Sequence, residues 1–123
     1  MQDFGSAPAA LRLVTSASNV ALANPEQQVF DAMMDGWRNQ QLSRGLREQT
    51  IQNRTATVAR FRDFVDKPPW RWTVADVDEF TREATDRTLT LSTLRHHHGA
   101  IRGFCDYLTN PLYDWMEICD REF

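Results

Sequence analysis

The stretch Arg47–Pro69, REQTIQNRTATVARFRDFVDKPP, decides the fold. Ile51, Val58, Phe61 and Val65 recur at the spacing of one helical stripe, with Arg54 or Thr55 at the gap. The helix they predict starts near Glu48 or Thr50 and runs to Asp66. Lys67-Pro68-Pro69 ends it, because two prolines remove N–H donors and disfavour a helical residue before them. The open face of this helix carries Thr50, Gln52, Asn53, Arg54, Thr57 and Arg60. Hydroxyl, amide and guanidinium groups of this kind serve phosphate contacts, and Asn, Gln and Arg also read base edges.

Upstream, Asn24 is a suitable cap and Pro25 suits the first helical position. Phe30, Met33, Met34, Trp37 and Gln41 follow at helical spacing, and the helix fades between Leu42 and Gly45. Residues 1–24 are Ala/Ser/Asn-rich and read as a flexible tail. Downstream, Trp70 and Trp72 flank Arg71, and at least one of them should cover the core. Thr73-Val74-Ala75-Asp76 opens a third helix in the manner of a capping box. It runs to about Glu83, with Val74, Val77, Phe80 and Ala84 inward. Ser92 is the expected cap of a fourth helix, with Leu94, His98, Ile101, Cys105 and Leu108 on its buried stripe, widened by Phe104. Asn110-Pro111 closes it, and Tyr113–Cys119 starts a short fifth helix. No repeat and no strand pattern of useful length is present. The chain stops at Phe123 without a Gly or Pro signal, which reads as a piece of a longer protein.

Composition narrows the class. The 123 residues are 41% hydrophobic with a net charge of −3, which fits one domain and gives no uniformly basic binder. No apolar run approaches the roughly 18–20 residues of a membrane span, and Met1–Gly5 lacks the basic start of a signal peptide. A cytoplasmic protein is expected. Cys105 and Cys119 are too few for a disulfide framework and read as reduced, mostly buried thiols. Charge is segregated along the chain. Arg44–Arg62 holds five arginines against Glu48, Asp76–Asp86 holds five acids against Arg82, and Thr88–Gly103 holds two arginines, three histidines and no acid.

The triple histidine does not make a metal site. Consecutive helical residues point about 100° apart, and His98 and Cys105 stand about 10 Å apart along a helix. His98 reads as a core or boundary residue, and His96 and His97 as exposed. No nucleophile–base pair, phosphate loop or ligand cluster appears, so no catalytic residue, metal or cofactor is assigned. Tyr107 and Tyr113 read as core or rim aromatics.

Three stretches together resemble the N-terminal core-binding domain of tyrosine recombinases, the phage-integrase family, in its actinobacterial type. Arg47–Ile51 leading into Val58–Phe64 looks like the family's second helix. Trp72–Phe80 is similar to its third, and Leu91–Leu94 with Ile101–Leu108 to its fourth. Each motif is degenerate, and their order and spacing carry the likeness over residues 25–110. The family often has an aromatic where Arg54 stands and basic residues where His96 and His97 stand.

The resemblance implies an all-α, four- to five-helix orthogonal bundle of the SAM-like type over residues 25–110. Residues 111–123 then form a short helix or linker toward an absent catalytic domain. It implies a DNA-binding module that contacts the core site as half of a clamp, for integration or recombination by the full-length protein. The partners implied are double-stranded DNA and other recombinase protomers, with the isolated piece a monomer. The second and fourth helices would supply the contacts: Thr50, Gln52, Asn53, Arg54, Thr57 and Arg60, then Ser92, Thr93, Arg95, His96, His97 and Arg102. The competing reading is a helical protein–protein interaction domain using the acidic third helix and Trp70-Arg71-Trp72. With no lysine-rich stripe, the log K against log salt slope should be no steeper than about −5.

Overall fold

A computed structural model describes residues 24–87 and 90–123. The expected tail at 1–24 falls, but for Asn24, outside the described residues. Five α-helices and two short 3₁₀ turns make up the described chain, with no strand among the described residues. The helices are α1 (Pro25–Ser43), α2 (Glu48–Val65), α3 (Val74–Asp86), α4 (Leu91–Thr109) and α5 (Trp115–Glu122).

Local chemistry sets most of the boundaries. Asn24 accepts from Gln27 N at 3.0 Å, and Pro25 fills the position after it, where no N–H is needed. Gly45, at φ +81°, turns the chain out of α1. Asp66 stops α2 in the left-handed region at φ 54°, directly before Lys67-Pro68-Pro69. Thr73 and Asp76 form the reciprocal capping box of α3. Lys67 Nζ lies 2.7 Å from Asp76 Oδ2 and, with the capping bonds of Thr73, holds that carboxyl below its ordinary range.

Two boundary expectations are corrected. Thr90, not Ser92, caps α4, its hydroxyl accepting from Thr93 N at 3.2 Å. Val74 is not inward but 78% exposed, because the first turn of α3 overhangs the core that Phe80 and Ala84 enter.

The main core gathers Val29, Phe30, Met33 and Trp37 of α1, Val58 of α2, Ala100, Phe104, Tyr107 and Leu108 of α4, and Trp115, Ile118 and Cys119 of α5. Phe104 is its centre, with Phe30, Trp37 and Trp72 rings at 6.0, 5.2 and 5.8 Å. Phe61, Phe80 and Ile101 form a second cluster. Trp72 packs against both clusters and anchors its indole by donating to Lys67 O at 2.9 Å. The segment 111–123 is therefore not separate from the core, since α5 buries Trp115 and bonds its indole to Tyr107 Oη at 2.8 Å. Cys105 and Cys119 are unpaired, and burial pushes the Cys119 thiol up to about 11.

Candidate nucleic-acid interface

Among the described residues, α2 and α4 are the most extensively packed pair of helices. They run antiparallel. Arg54 lies against Gly99 and Gly103, Arg60 against His97, and Asp63 and Phe64 share a groove with Thr93. Two sequence segments more than thirty residues apart thus become neighbours, as shown by the Arg60–His97 separation of 37.

On α2, Thr50, Asn53 and Arg60 are exposed beside this seam, at positions that stack on one side of a helix. Gln52 is also exposed but lies about 100° round the helix from Asn53. On α4, Ser92, Arg95, His96 and Arg102 are exposed, and Thr93 is half-buried. Among the described residues no ion pair involves Arg60, Arg95 or Arg102. Arg95 and Arg102 are exposed, and the exposed Arg60 keeps Nη2 at 3.4 Å from both Thr57 Oγ1 and His97 Nε2.

Arg54 is mainly a strut. Its guanidinium carbon lies 5.6 Å from the Trp37 ring centroid, and Nη2 reaches Gly99 O at 3.5 Å. A cation over an aromatic face occupies the place where a second aromatic would otherwise pack. Gly103 makes the room, since a Cβ there would lie 2.6 Å from Arg54 Nη2. Gly99 differs, because a Cβ there meets no heavy atom within 4 Å. Its glycine leaves bare helix backbone facing solvent at a cost of about 1 kcal/mol relative to alanine. Gly99→Ala is therefore expected to stabilise the fold by about 0.5–1 kcal/mol in a thermal melt.

Two residues expected on the open surface are turned inward. Thr57 is only 1% exposed, and its hydroxyl donates to Asn53 O at 3.1 Å, so burial leaves it satisfied. His97, expected to be exposed, is only 7% exposed and packs 5.5 Å from the Phe80 ring. His98, expected on the core stripe, is exposed, with Nε2 at 2.7 Å from Thr81 Oγ1. Ile101, Phe104 and Leu108 of the expected stripe are buried, but the arc extends to His97, Ala100 and Tyr107 rather than to Leu94, His98 and Cys105, because α2 lies on the His97 side of α4.

Beside the seam, α2, α3 and α4 enclose an open groove of about 610 Å³ floored by Phe64, Phe80 and Ala84. Arg60, Asp63, Glu83 and Arg87 form its charged rim, and His97 lies in its wall. No sequence signal marks this groove, because its walls come from three separate helices. Burial, then the charges of Arg60, His96 and His98, hold the His97 pKa below its ordinary 6.5. Below about pH 6.5 the unfolded chain therefore binds a proton that the folded chain refuses. Stability is complete above that value and falls as the pH drops toward the folded pKa. Urea unfolding at about pH 5 should show a lower midpoint than at about pH 7.5, and His97→Gln should narrow the difference.

Among the described residues no group of three or more His, Cys, Asp or Glu side chains is placed to hold a metal ion. No helix there is long and apolar enough to cross a membrane. A family model described as the N-terminal SAM-like domain of phage integrases matches residues 33–114. No curated protein and no solved structure matches the chain.

Proposed function

The chain belongs to the N-terminal SAM-like domain family of phage integrases, and on that premise we propose that it is the DNA-binding module of a site-specific tyrosine recombinase. It contacts the core site as one half of a clamp and positions the duplex for integration or recombination by the full-length protein. The strand chemistry belongs to a separate catalytic domain of that protein.

The observation that carries this reading is the antiparallel packing of α2 on α4. The contacts of Arg54 with Gly99 and of Arg60 with His97 lay α2, with Thr50, Asn53 and Arg60 exposed, alongside α4, on which Ser92, Arg95, His96 and Arg102 are exposed. Phosphate contacts from Arg and hydroxyl groups fix the register, and Asn53 and the arginines are suited to base edges. Gly99, in the middle of these side chains on α4, presents backbone that a phosphodiester chain can approach closely. The alanine variant that stabilises the fold should accordingly weaken DNA binding.

Duplex DNA and other recombinase protomers are the partners of the full-length assembly, and the isolated chain is a monomer. A chemical-shift titration with a short duplex tests the site. Shifts should appear over residues 50–60 and 92–102. Shifts confined to residues 76–86 would point instead to a protein-interaction role for the acidic helix α3, and none at all would sink the DNA reading.

A further inference from the structure

Arg60 is held in the α2–α4 seam through one nitrogen. Nη2 carries two hydrogens, and both are engaged, one by Thr57 Oγ1 and one by His97 Nε2, each at 3.4 Å. Thr57 Oγ1 can accept because its own hydrogen goes to Asn53 O. Arginine has no acceptor, so Nε2 of His97 is bare, the ring is neutral, and its proton sits on Nδ1. Nδ1 is buried and has no hydrogen-bond partner. A second proton has one place to go, Nε2. There it removes the acceptor for Arg60 and sets two cations side by side.

We infer that His97 is a proton-operated latch on Arg60: neutral, it holds the guanidinium flat in the seam; protonated, it releases it toward the DNA, so that DNA binding takes up a proton. This rests on the DNA-binding reading above. The charged and titratable groups facing His97 are Arg60 and Asp63 from α2, Glu83 and Arg87 from α3, and His96 and His98 on α4. No carboxylate bonds the ring, and burial and the neighbouring cations oppose its charging, so the free protein is latched at neutral pH. Phosphates on the exposed face reverse the balance. They draw Arg60 outward, leave Nε2 open, and stabilise positive charge beneath.

Nuclear magnetic resonance on the whole chain reads the latch without DNA. The Arg60 Nη signals should be resolved while His97 is neutral and should collapse as His97 titrates, with the Arg54 signals unchanged. In His97→Gln, whose amide oxygen accepts but takes no proton, the Arg60 signals should persist at low pH. Arg60→Met should raise the pH at which His97 titrates, and an unchanged titration would overturn the latch even if the glutamine variant failed to fold.

Anisotropy with a short duplex, in a background with His96→Gln and His98→Gln that leaves His97 as the one imidazole of the chain, reads the coupling. Affinity should rise by up to about tenfold for each unit the pH falls as His97 titrates, the limit for one proton taken up. With His97→Gln added, the profile should flatten. Arg60 signals indifferent to His97, with DNA binding intact, overturn the latch alone. Arg60 signals that follow His97 in a chain that binds DNA at no pH overturn the binding reading and not the latch.

Discussion

A chain cut to residues 33–114, the segment that the integrase family model covers, is expected to lose cooperative folding. The cut removes Val29 and Phe30 at one end and Trp115, Ile118 and Cys119 at the other, all of them buried. Phe30 meets Phe104 edge-on at 6.0 Å, and Trp115 supplies the indole donor to Tyr107. Removing a buried Phe or Trp side chain costs about 3–5 kcal/mol, and a buried Ile about 2–5 kcal/mol. Their removal together matches or exceeds the roughly 5–15 kcal/mol by which a domain is stable. Circular dichroism should show weakened helix and no sharp melt for 33–114, against a sharp one for the parent. A cut chain that melts within a few degrees of the parent would show that the two ends are dispensable.

The largest effect on binding is expected from changing Arg60, Arg95 and Arg102 to alanine together. Arg95 and Arg102 are exposed and in no ion pair among the described residues, so each of those changes should alter stability by no more than about 0.5 kcal/mol. Arg60→Ala also removes the donor to Thr57 and His97, so the fold of the triple variant is checked by its melt. Each phosphate left without its arginine takes about 0.9 off the log K against log salt slope. Three such phosphates should make the slope shallower by about 2–3 and weaken binding by about two to three orders of magnitude near 0.1 M salt. Binding isotherms at several salt concentrations give both quantities. Unchanged affinity in a folded triple variant would place the DNA on another face. Arg54 is left out deliberately, because its removal would withdraw the cation from Trp37 and the donor from Gly99 and so disturb α2, α4 and α1 together.

The stripes of α1 and α2 are legible in the sequence because one side of each helix meets the core and the other meets water. Caps are legible where a single polar residue stands at the boundary, as at Asn24 and Thr73. They are ambiguous in Thr90-Leu91-Ser92, where two hydroxyls compete and only the backbone decides. α4 is harder. It is enclosed on several sides, so a wide arc is buried, and the spacings through His97, Ala100 and Tyr107 and through Leu94, His98 and Cys105 flank the buried Ile101, Phe104 and Leu108 with equal periodicity. Sequence period alone does not choose between them. Thr57 escapes for a different reason. Polarity argues for an outward side chain, yet a helical threonine can satisfy its hydroxyl on its own backbone and then be buried at little cost. The pairing of α2 with α4 is a contact between segments far apart in the chain and has no local sequence signal. The internal ties of Arg54 and Arg60 have no sequence signature, because each depends on a residue of another helix.

Trp72 touches Phe61 of one cluster at 4.7 Å and Phe104 of the other at 5.8 Å. A ring shared in this way removes the option of partial melting. Peeling α3 and its connection away from α2 withdraws Trp72 from Phe61 and opens the face of Phe104, so disturbance of the smaller cluster reaches the larger. The domain should behave as one thermodynamic unit, with indole fluorescence and helical dichroism tracing the same transition.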